Sequence, residues 1–246
     1  MPIQKYLRNW AVAGLAAFAL MACSENAEDA AAVPASGAAV SGGEETAPPI
    51  PVMGEEVRIL AFGDSLFAGY GFEDPDTDSY PAKLESALRA RGVNARVANA
   101  GVSGDTSAAG LKRLGFILDA QAQKPDLFIL ELGGNDLLRG LSPDQTRANF
   151  VAMLDELKER QIPVLIMGMR APPNYGPEFQ QAFDDLYGEL ATQYETALIP
   201  FWLEDIYQKP ELFQNDRIHP TVEGVEELVA STVDGVSAAL PEPSES

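Results

Sequence analysis

The chain has 246 residues, and its 46% hydrophobic content is sufficient for one domain with a substantial core. It carries 17 Lys and Arg against 37 Asp and Glu, which gives a formal net charge of -20 at pH 7. Because so negative a field repels phosphate backbones, the composition argues against nucleic acid as a partner.

The N-terminus has the layout of a secretory signal. Lys5 and Arg8 precede an uncharged apolar stretch, residues 10–22, that is too short to span a membrane. The stretch ends in Leu-Met-Ala-Cys, which resembles the bacterial lipoprotein signal that leaves a lipid-modified cysteine as the new first residue. We therefore expect a signal peptide over residues 1–22 and a lipid on Cys23. An ordinary cleaved signal with an unmodified thiol, or a retained membrane anchor, are the alternatives.

Cys23 is the only cysteine in the chain. If it carries a lipid, no thiol remains for a disulfide, a metal site or catalysis. Several acyl chains on one residue would make attachment to the membrane essentially permanent. Ser24 after the cysteine, rather than Asp, resembles lipoproteins of the outer membrane. The expected location is therefore extracytoplasmic, on a bacterial membrane and by this analogy on the outer one.

The composition of the chain divides it into a tether and a folded part. Residues 24–55 are rich in Ala, Gly, Pro, Ser and Glu and contain almost no large apolar side chains. Such a segment cannot bury enough surface to offset its chain entropy, so a disordered tether is predicted over residues 23–55. A folded domain is predicted over residues 56–240 and a disordered tail over residues 241–246.

Within the predicted domain, short apolar runs alternate with helical patterns. Buried strands are predicted at residues 57–62, 95–99, 127–132, 164–169 and 197–202. Helices are predicted over residues 81–91, from the Ser-Pro pair at residues 142–143, and over residues 221–240. Strands that alternate with helices form a parallel sheet covered on both faces. The sequence therefore predicts a three-layer α/β/α sandwich with a central parallel sheet of about five strands, and ligands beyond the strands' carboxyl ends.

The first strand is followed by Gly-Asp-Ser-Leu, residues 63–66. Gly63 allows a sharp turn there, and Ser65 could project from the end of the strand as a nucleophile. The alternative is a helix cap or turn former, which is the commoner role of a serine at such a position. A serine hydroxyl also needs an adjacent base before it becomes a strong nucleophile.

The general base that Ser65 would need has one histidine candidate, because His219 is the only histidine in the chain. Asp216 precedes it by three residues, a spacing that can bring a carboxylate to Nδ1 and leave Nε2 free to accept a proton. A lone histidine also serves often in surface or capping roles, and that alternative stays open here. With one histidine and one cysteine, the usual zinc ligand sets are not expected, and we predict no metal or cofactor.

Acyl transfer needs hydrogen-bond donors for the oxyanion, and the segments after the second and third strands offer two. Gly104 lies in Gly-Val-Ser-Gly-Asp-Thr, residues 101–106, and Asn135 lies in Gly-Gly-Asn-Asp, residues 133–136. A backbone N–H at a glycine and an asparagine amide both donate without a competing charge. Both segments could equally be ordinary turns.

Taken in order, "GDSL", "GVSGDT", "LELGGND" and "DRIHP" resemble the sequence blocks of the SGNH (GDSL) hydrolase family. The resemblance extends over residues 57–240 and is greatest with small bacterial arylesterases and multifunctional thioesterase/lysophospholipases. It implies a flavodoxin-like SGNH fold, with Ser65 as nucleophile and Asp216 and His219 completing the triad. The oxyanion hole would be lined by the Ser65 backbone, Gly104 and Asn135.

The resemblance also bears on three further residues. Asp64 resembles a residue that shapes the loop around the nucleophile, and it is a candidate for substrate contact without catalytic work. Tyr175, in "MRAPPNYGP", resembles part of a substrate-contacting loop, and a Pro-rich turn with a packing tyrosine is the equal alternative. Arg217 is a departure, because this branch usually has glycine between the Asp and Ile of the last block.

The resemblance implies a serine hydrolase that cleaves aryl esters, short-to-medium acyl esters, lysophospholipids and acyl thioesters through an acyl-serine. Its expected partners are a small ester or lipid substrate and the membrane that holds Cys23. A carbohydrate or cell-wall O-acetyl esterase is the alternative within the same chemistry. A non-catalytic binding lipoprotein is the alternative from another class. The sequence indicates neither the oligomeric state nor the natural substrate.

Overall fold

The computed structural model describes residues 51–242. The predicted signal peptide, Cys23 and most of the predicted tether and tail lie outside the described residues. The described part forms a five-stranded sheet in the order β2-β1-β3-β4-β5, and every neighbouring pair is parallel. The strands are β1 (Met53–Gly63), β2 (Val93–Gly101), β3 (Leu127–Leu130), β4 (Val164–Met167) and β5 (Ala197–Ile199).

Helices connect the strands and flank the sheet. They are α1 (Ser65–Ala68), α2 (Pro75–Asp78), α3 (Tyr80–Ala90), α4 (Ser107–Asp119), α5 (Gly134–Leu138), α6 (Pro143–Glu159), α7 (Pro177–Tyr194), α8 (Glu204–Tyr207) and α9 (Val222–Ala239). Short 3₁₀ turns lie at Pro173–Tyr175 and Pro210–Leu212. Among the helices of residues 51–242, none has both the length and the hydropathy that a membrane crossing requires.

The burial of the strands explains why continuous apolar runs predicted them. Every residue of β3 and β4 is buried, as expected for strands of a parallel sheet with helices on both faces. The predicted fold class, α/β with a five-stranded parallel sheet, is therefore confirmed. The third strand ends at Leu130, two residues before its prediction, and its last backbone bond to β1 is the one that the Glu131 N–H donates to the Phe62 carbonyl at 2.9 Å.

The first strand begins at Met53, four residues before its prediction. Met53 pairs with Val93 through an irregular register, and its side chain is 74% exposed. The start of β1 therefore rests on backbone pairing rather than on buried side chains, and hydrophobic pattern could not reveal it. The strand includes Met53–Glu55, which the sequence had placed at the end of the tether.

The helix caps agree closely with the sequence signals. Ser142 caps α6 with a capping box, in which its Oγ accepts from the Gln145 N–H at 3.3 Å and Gln145 Oε1 accepts from the Ser142 N–H at 3.2 Å. Thr221 caps α9 by accepting from the Gly224 N–H at 3.1 Å. The predicted helices over residues 81–91 and 221–240 are thus present, each within one residue of its expected ends.

The strand order creates one crevice at the carboxyl edge of the sheet. The chain passes from β1 to β2 on one side and then returns to place β3 on the other side of β1. Such a reversal leaves a gap between the two connections, and ligands of open α/β sheets bind there. Ser65 lies at this point because it is the second residue after the end of β1.

Candidate active site

A sharp turn at the end of β1 presents Ser65 to the crevice. Gly63 has no side chain, and a Cβ there would lie 2.7 Å from Glu131 Oε2 and 2.9 Å from the Phe67 ring. Asp64 caps α1, its Oδ1 accepting from the Leu66 N–H at 3.0 Å. Ser65 is then the first residue of α1, so its own N–H is free of the helix ladder. The turn therefore directs both the hydroxyl and the N–H of one residue toward the crevice.

His219 and Asp216 reach Ser65 from the loop before α9. The Nε2 atom of His219 lies 2.8 Å from Ser65 Oγ, and its Nδ1 lies 2.7 Å from Asp216 Oδ2. The other carboxylate oxygen of Asp216 accepts from the N–H groups of Ile218 at 2.9 Å and His219 at 3.0 Å. The structure thus brings together three residues separated by up to 154 positions in the chain.

The carboxyl of Asp216 is kept ionised. Partial burial favours the protonated acid, but hydrogen bonds from the His219 ring and from the two backbone N–H groups outweigh it and lower the pKa of Asp216 to about 2. An ionised Asp216 assigns the proton of the imidazole to Nδ1. Nε2 is then the free acceptor that faces the Ser65 hydroxyl.

The loop that carries His219 is held by backbone and side-chain contacts. The Gln214 N–H donates to the His219 carbonyl at 2.7 Å, and Gln214 Nε2 donates to the carbonyls of Tyr70 and Pro220, each at 2.9 Å. The Tyr70 ring lies 4.3 Å from the imidazole, centroid to centroid. These contacts fix the height and the tilt of the imidazole above Ser65.

Arg217 adopts a left-handed backbone with φ of 59°. Glycine takes this conformation without strain, whereas a residue with a Cβ is disfavoured there by about 1–2 kcal/mol. This explains why glycine suits the position between Asp216 and Ile218. The arginine keeps the turn, since its N–H still donates to the Gln214 carbonyl at 2.9 Å. The geometry of Asp216 is therefore intact despite the departure.

The predicted oxyanion donors lie on the other side of Ser65. Gly104 has φ of 84°, and within residues 51–242 no other protein group accepts its N–H. Asn135 stands in the first turn of α5, with its Nδ2 2.8 Å from Asp64 Oδ2. Arg139, at the end of the same helix, donates to the Gly104 carbonyl at 2.7 Å. One short helix therefore carries one donor and holds the loop of the other.

A cleft of about 490 Å³ opens over Ser65 and His219. Most of its walls are apolar, although Arg170 and Arg217 reach its edge. The apolar residues that line it are Leu66, Tyr70, Leu137, Leu138, Met169, Pro172, Phe201, Leu203, Tyr207, Pro210, Phe213 and Ile218. Within residues 51–242 no cluster of three or more His, Cys, Asp or Glu is placed to bind a metal ion.

The two candidates for substrate contact differ in position. Asp64 borders the cleft but is 2% exposed, and its carboxylate is occupied by Leu66 and Asn135. Tyr175 is not part of the cleft wall. Its hydroxyl donates to the Leu137 carbonyl at 2.8 Å and its ring packs on Phe179 at 5.1 Å. In this structure Tyr175 therefore packs on its neighbours, and its contact with substrate stays a prediction.

Sequence reasoning missed two residues of the site. Glu131, in "LELGGND", is fully buried directly beneath Asp64, and a charged residue in an apolar strand end was the signal that could have found it. Tyr70, in "FAGYG", lies with its ring tilted against the imidazole of the catalytic candidate His219, from 149 positions away. No spacing rule predicts such a contact, because it depends on how two loops meet.

A serine hydroxyl, an imidazole and a carboxylate in hydrogen-bonding order, beside free N–H donors, are the arrangement of a serine hydrolase. The comparisons with known proteins define it further. A model of the GDSL-like Lipase/Acylhydrolase family matches residues 61–226. Esterase TesA of Pseudomonas aeruginosa is 42% identical over 164 residues, which are 67% of this chain and 80% of that protein.

Two further relatives agree. Thioesterase 1/protease 1/lysophospholipase L1 of Escherichia coli is 39% identical over 162 residues, which are 66% of this chain and 74% of that protein. The crystal structure of AlinE4, an SGNH-hydrolase family esterase, is 59% identical, with a TM-score of 0.65 and coverage of 77% of this chain and 100% of that chain. The chain therefore belongs to the GDSL-like lipase/acylhydrolase family and is a hydrolase of carboxylic esters, as the sequence predicted.

Proposed function

We propose that Ser65 is the nucleophile of this hydrolase and that His219 is its general base. Asp216 orients the imidazole and stabilises the positive charge that it gains in the reaction. His219 Nε2 takes the hydroxyl proton as Ser65 Oγ attacks the ester carbonyl, and it then returns that proton to the leaving alkoxide or phenoxide. The acyl-serine is hydrolysed by water in the same way. The observation that carries this proposal is the unbroken pair of hydrogen bonds, 2.8 and 2.7 Å long, from Ser65 to Asp216.

The developing oxyanion is stabilised by three donors in this proposal. They are the N–H groups of Ser65 and Gly104 and the second Nδ2 hydrogen of Asn135, whose first hydrogen is bound to Asp64. All three residues line the cleft. Removal of one such donor typically lowers kcat by about 10²–10³.

The test of the nucleophile is covalent labelling. A fluorophosphonate probe should label the wild-type protein once and should not label Ser65→Ala. Replacement of the nucleophile should also lower kcat by about 10⁶ with the same fold, as judged by circular dichroism. Ser103→Ala, at another serine that borders the same cleft, is the matched control and should be labelled like the wild type. Labelling that persists in Ser65→Ala would refute the assignment.

We propose that the substrates are esters with an apolar acyl or aryl group, including lysophospholipids and acyl thioesters. The apolar walls of the cleft support this class, as do the names of the relatives from P. aeruginosa and E. coli. Each methylene that enters the cleft contributes about 0.8 kcal/mol, which is roughly a fourfold gain in kcat/KM. A site dedicated to O-acetyl groups would show no such gain.

A series of p-nitrophenyl esters from acetate to decanoate measures this difference directly. We expect kcat/KM to rise with each added methylene until the chain reaches the end of the cleft, and then to level off. Leu137→Asp, which places a charge in the wall, should flatten the rise while acetate turnover changes least. A sharp maximum at acetate would overturn the proposal in favour of an O-acetyl esterase.

We also propose that the mature enzyme is a lipoprotein, with residues 1–22 removed, a lipid on Cys23 and a tether over residues 23–52. Support comes only from the sequence, namely the charged N-terminus, the apolar stretch and the Leu-Met-Ala-Cys site. The expected location is the outer membrane. Cys23→Ser should move the esterase from the membrane fraction to the soluble one without a change in kcat. Wild-type protein found only in the soluble fraction would contradict this.

A further inference from the structure

Glu131 is a fully buried acid for which the proposed reaction has no use. It follows β3, it is 0% exposed, and its Oε2 accepts from the Asp64 N–H at 3.3 Å. Its Oε1 is buried and has no hydrogen-bond partner within residues 51–242. Gly63 makes room for it, because any side chain there would collide with Oε2. A buried polar group of this kind costs free energy, so its retention calls for an explanation.

Glu131 is connected to the oxyanion side of the site through Asp64. The Asp64 carboxylate accepts from the Leu66 N–H at 3.0 Å through Oδ1 and from Asn135 Nδ2 at 2.8 Å through Oδ2. The orientation of the Asn135 amide therefore depends on where Asp64 is held. The backbone of Asp64 is in turn held by Glu131, from the strand beside it.

We propose that Glu131 is a positioning residue of the oxyanion hole: its carboxyl holds the Asp64 N–H, and Asp64 thereby aims the amide of Asn135 at the reacting carbonyl. The inference rests on the proposed role of Asn135 as an oxyanion donor. It assigns Glu131 no contact with substrate. Its effect on the reaction passes entirely through Asp64 and Asn135.

The charges of the pair agree with this geometry. Burial, and then the negative charge of Asp64, raise the pKa of Glu131 well above its ordinary value. Burial also raises the pKa of Asp64 to about 6, a rise limited by the donors Leu66 and Asn135 and by His219. The carboxylate of Asp64 accepts two hydrogen bonds and that of Glu131 accepts one, so the geometry favours the negative charge on Asp64 and the proton on Glu131. The bond from Asn135 is then charge-assisted and firmly oriented.

The other ionisable groups around the pair do not change this assignment. Tyr187 of α7 is one of the groups near Glu131 and Asp64, and its hydroxyl donates to the Leu132 carbonyl at 3.1 Å. Burial raises the pKa of Tyr187 well above its ordinary value, so it remains neutral. Asp105 is paired with Arg113 at 2.6 Å, and Arg113 also donates to the Gly63 carbonyl at 3.0 Å.

A double-mutant cycle on kcat with a p-nitrophenyl ester tests the proposal. Asn135→Ala should lower kcat by about 10²–10³. Glu131→Ala should lower kcat about tenfold or more, with KM nearly unchanged, because a misaimed donor loses stabilisation only in the transition state. In the Asn135→Ala background, the same Glu131 change should cost less than about twofold, since residues that act through one group are not additive. Equal costs in both backgrounds would overturn the proposal.

Two further variants separate positioning from mere stability. Glu131→Gln keeps a neutral oxygen acceptor for the Asp64 N–H and should restore most of the lost kcat, and a loss as large as that of Glu131→Ala would count against the proposal. Thr232→Val is the matched control, since Thr232 is a buried polar residue that is bonded to Tyr80 and does not line the cleft. It should lower the melting temperature without lowering kcat.

If Glu131→Ala fails to fold, Glu131→Met fills the same space without the acceptor and takes its place in the cycle. The outcomes also distinguish this inference from the proposal on which it rests. An Asn135→Ala protein with undiminished kcat would remove the oxyanion role of Asn135 and the inference with it. If Asn135→Ala lowers kcat and the Glu131 change costs as much in that background as in the wild type, the inference on Glu131 alone would be refuted.

Discussion

Ser65 lies between two carboxylate sites that differ in almost every physical respect. On one side, Asp216 stands in a loop with its side chain 38% exposed, accepts three hydrogen bonds and has a pKa of about 2. On the other side, Glu131 and Asp64 lie under the turn, and burial is the largest influence on both, raising their pKa values. Solvent access and the number of donors, rather than residue type, decide which acid is charged.

The two sides are also built differently. The His219 side is a loop whose shape comes from backbone turns, a glutamine and one aromatic contact. The Glu131 side belongs to the sheet, because Gly63 is the last residue of β1 and Glu131 directly follows β3, which pairs with β1. We therefore expect changes on the loop side to affect chemistry more than stability. Changes on the sheet side should affect both.

Among changes at the two carboxylate sites, the largest effect should come from Asp216→Asn. An amide at this position cannot hold the proton on Nδ1 or stabilise the imidazolium, so kcat should fall by about 10³–10⁴. The melting temperature should change little, since the side chain is partly solvated. Initial rates with p-nitrophenyl butyrate and a thermal melt measure the two quantities. A large loss of stability with modest loss of kcat would erase the contrast between the two sides.

The second effect should be a change in the pH dependence of stability in Glu131→Gln. An unfolded glutamate loses its proton near pH 4.5, whereas folded Glu131 keeps it to a higher pH. Between these values the folded state binds more protons, so wild-type stability falls as the pH rises, by up to about 1.4 kcal/mol per pH unit. Glutamine does not titrate, so the stability of the variant relative to that of the wild type should increase from pH 5 to pH 8.

Melting temperatures of both proteins at pH 4, 5, 6, 7 and 8 give the measurement. At pH 4 the two proteins should differ least, because Glu131 is then protonated in both the folded and the unfolded state. The titration of Asp64 is present in both proteins and largely cancels in the difference. A difference that stays constant over this range would show that Glu131 is not held neutral by the fold.

The smallest effect should come from Arg217→Gly. Relief of the left-handed backbone is worth about 1–2 kcal/mol, and the greater freedom of glycine in the unfolded chain offsets about 0.5–1 kcal/mol of it. A net gain of roughly 0.5–1 kcal/mol is expected from denaturant unfolding. Glu195→Gly, at another left-handed position that ends α7 with φ of 54°, is the matched control. A loss at Arg217 alone would show that the guanidinium contributes to the loop.

The sequence predicted much of this site because its parts are local. Asp216 and His219 are three residues apart, and their contact needs only one turn of loop. Ser65, Gly104 and Asn135 each follow a strand that its apolar run predicted, and parallel strands bring such positions to one edge. The start of β1 was not predicted, and the two alternatives for Tyr175 were left open, since both depend on contacts with distant segments.

The sequence by itself determined the class of fold, the family and the order of the chemical groups, because periodicity and motif spacing are properties of the chain. Only the tertiary structure decided that His219 reaches Ser65, that the Tyr70 ring lies against the imidazole and that Glu131 lies beneath Asp64. The charge of an acid depends on burial and on neighbouring donors, and those are set by residues far away in the chain. A carboxylate on the loop and a neutral acid beneath the sheet edge therefore look alike in sequence and differ only once the chain has folded.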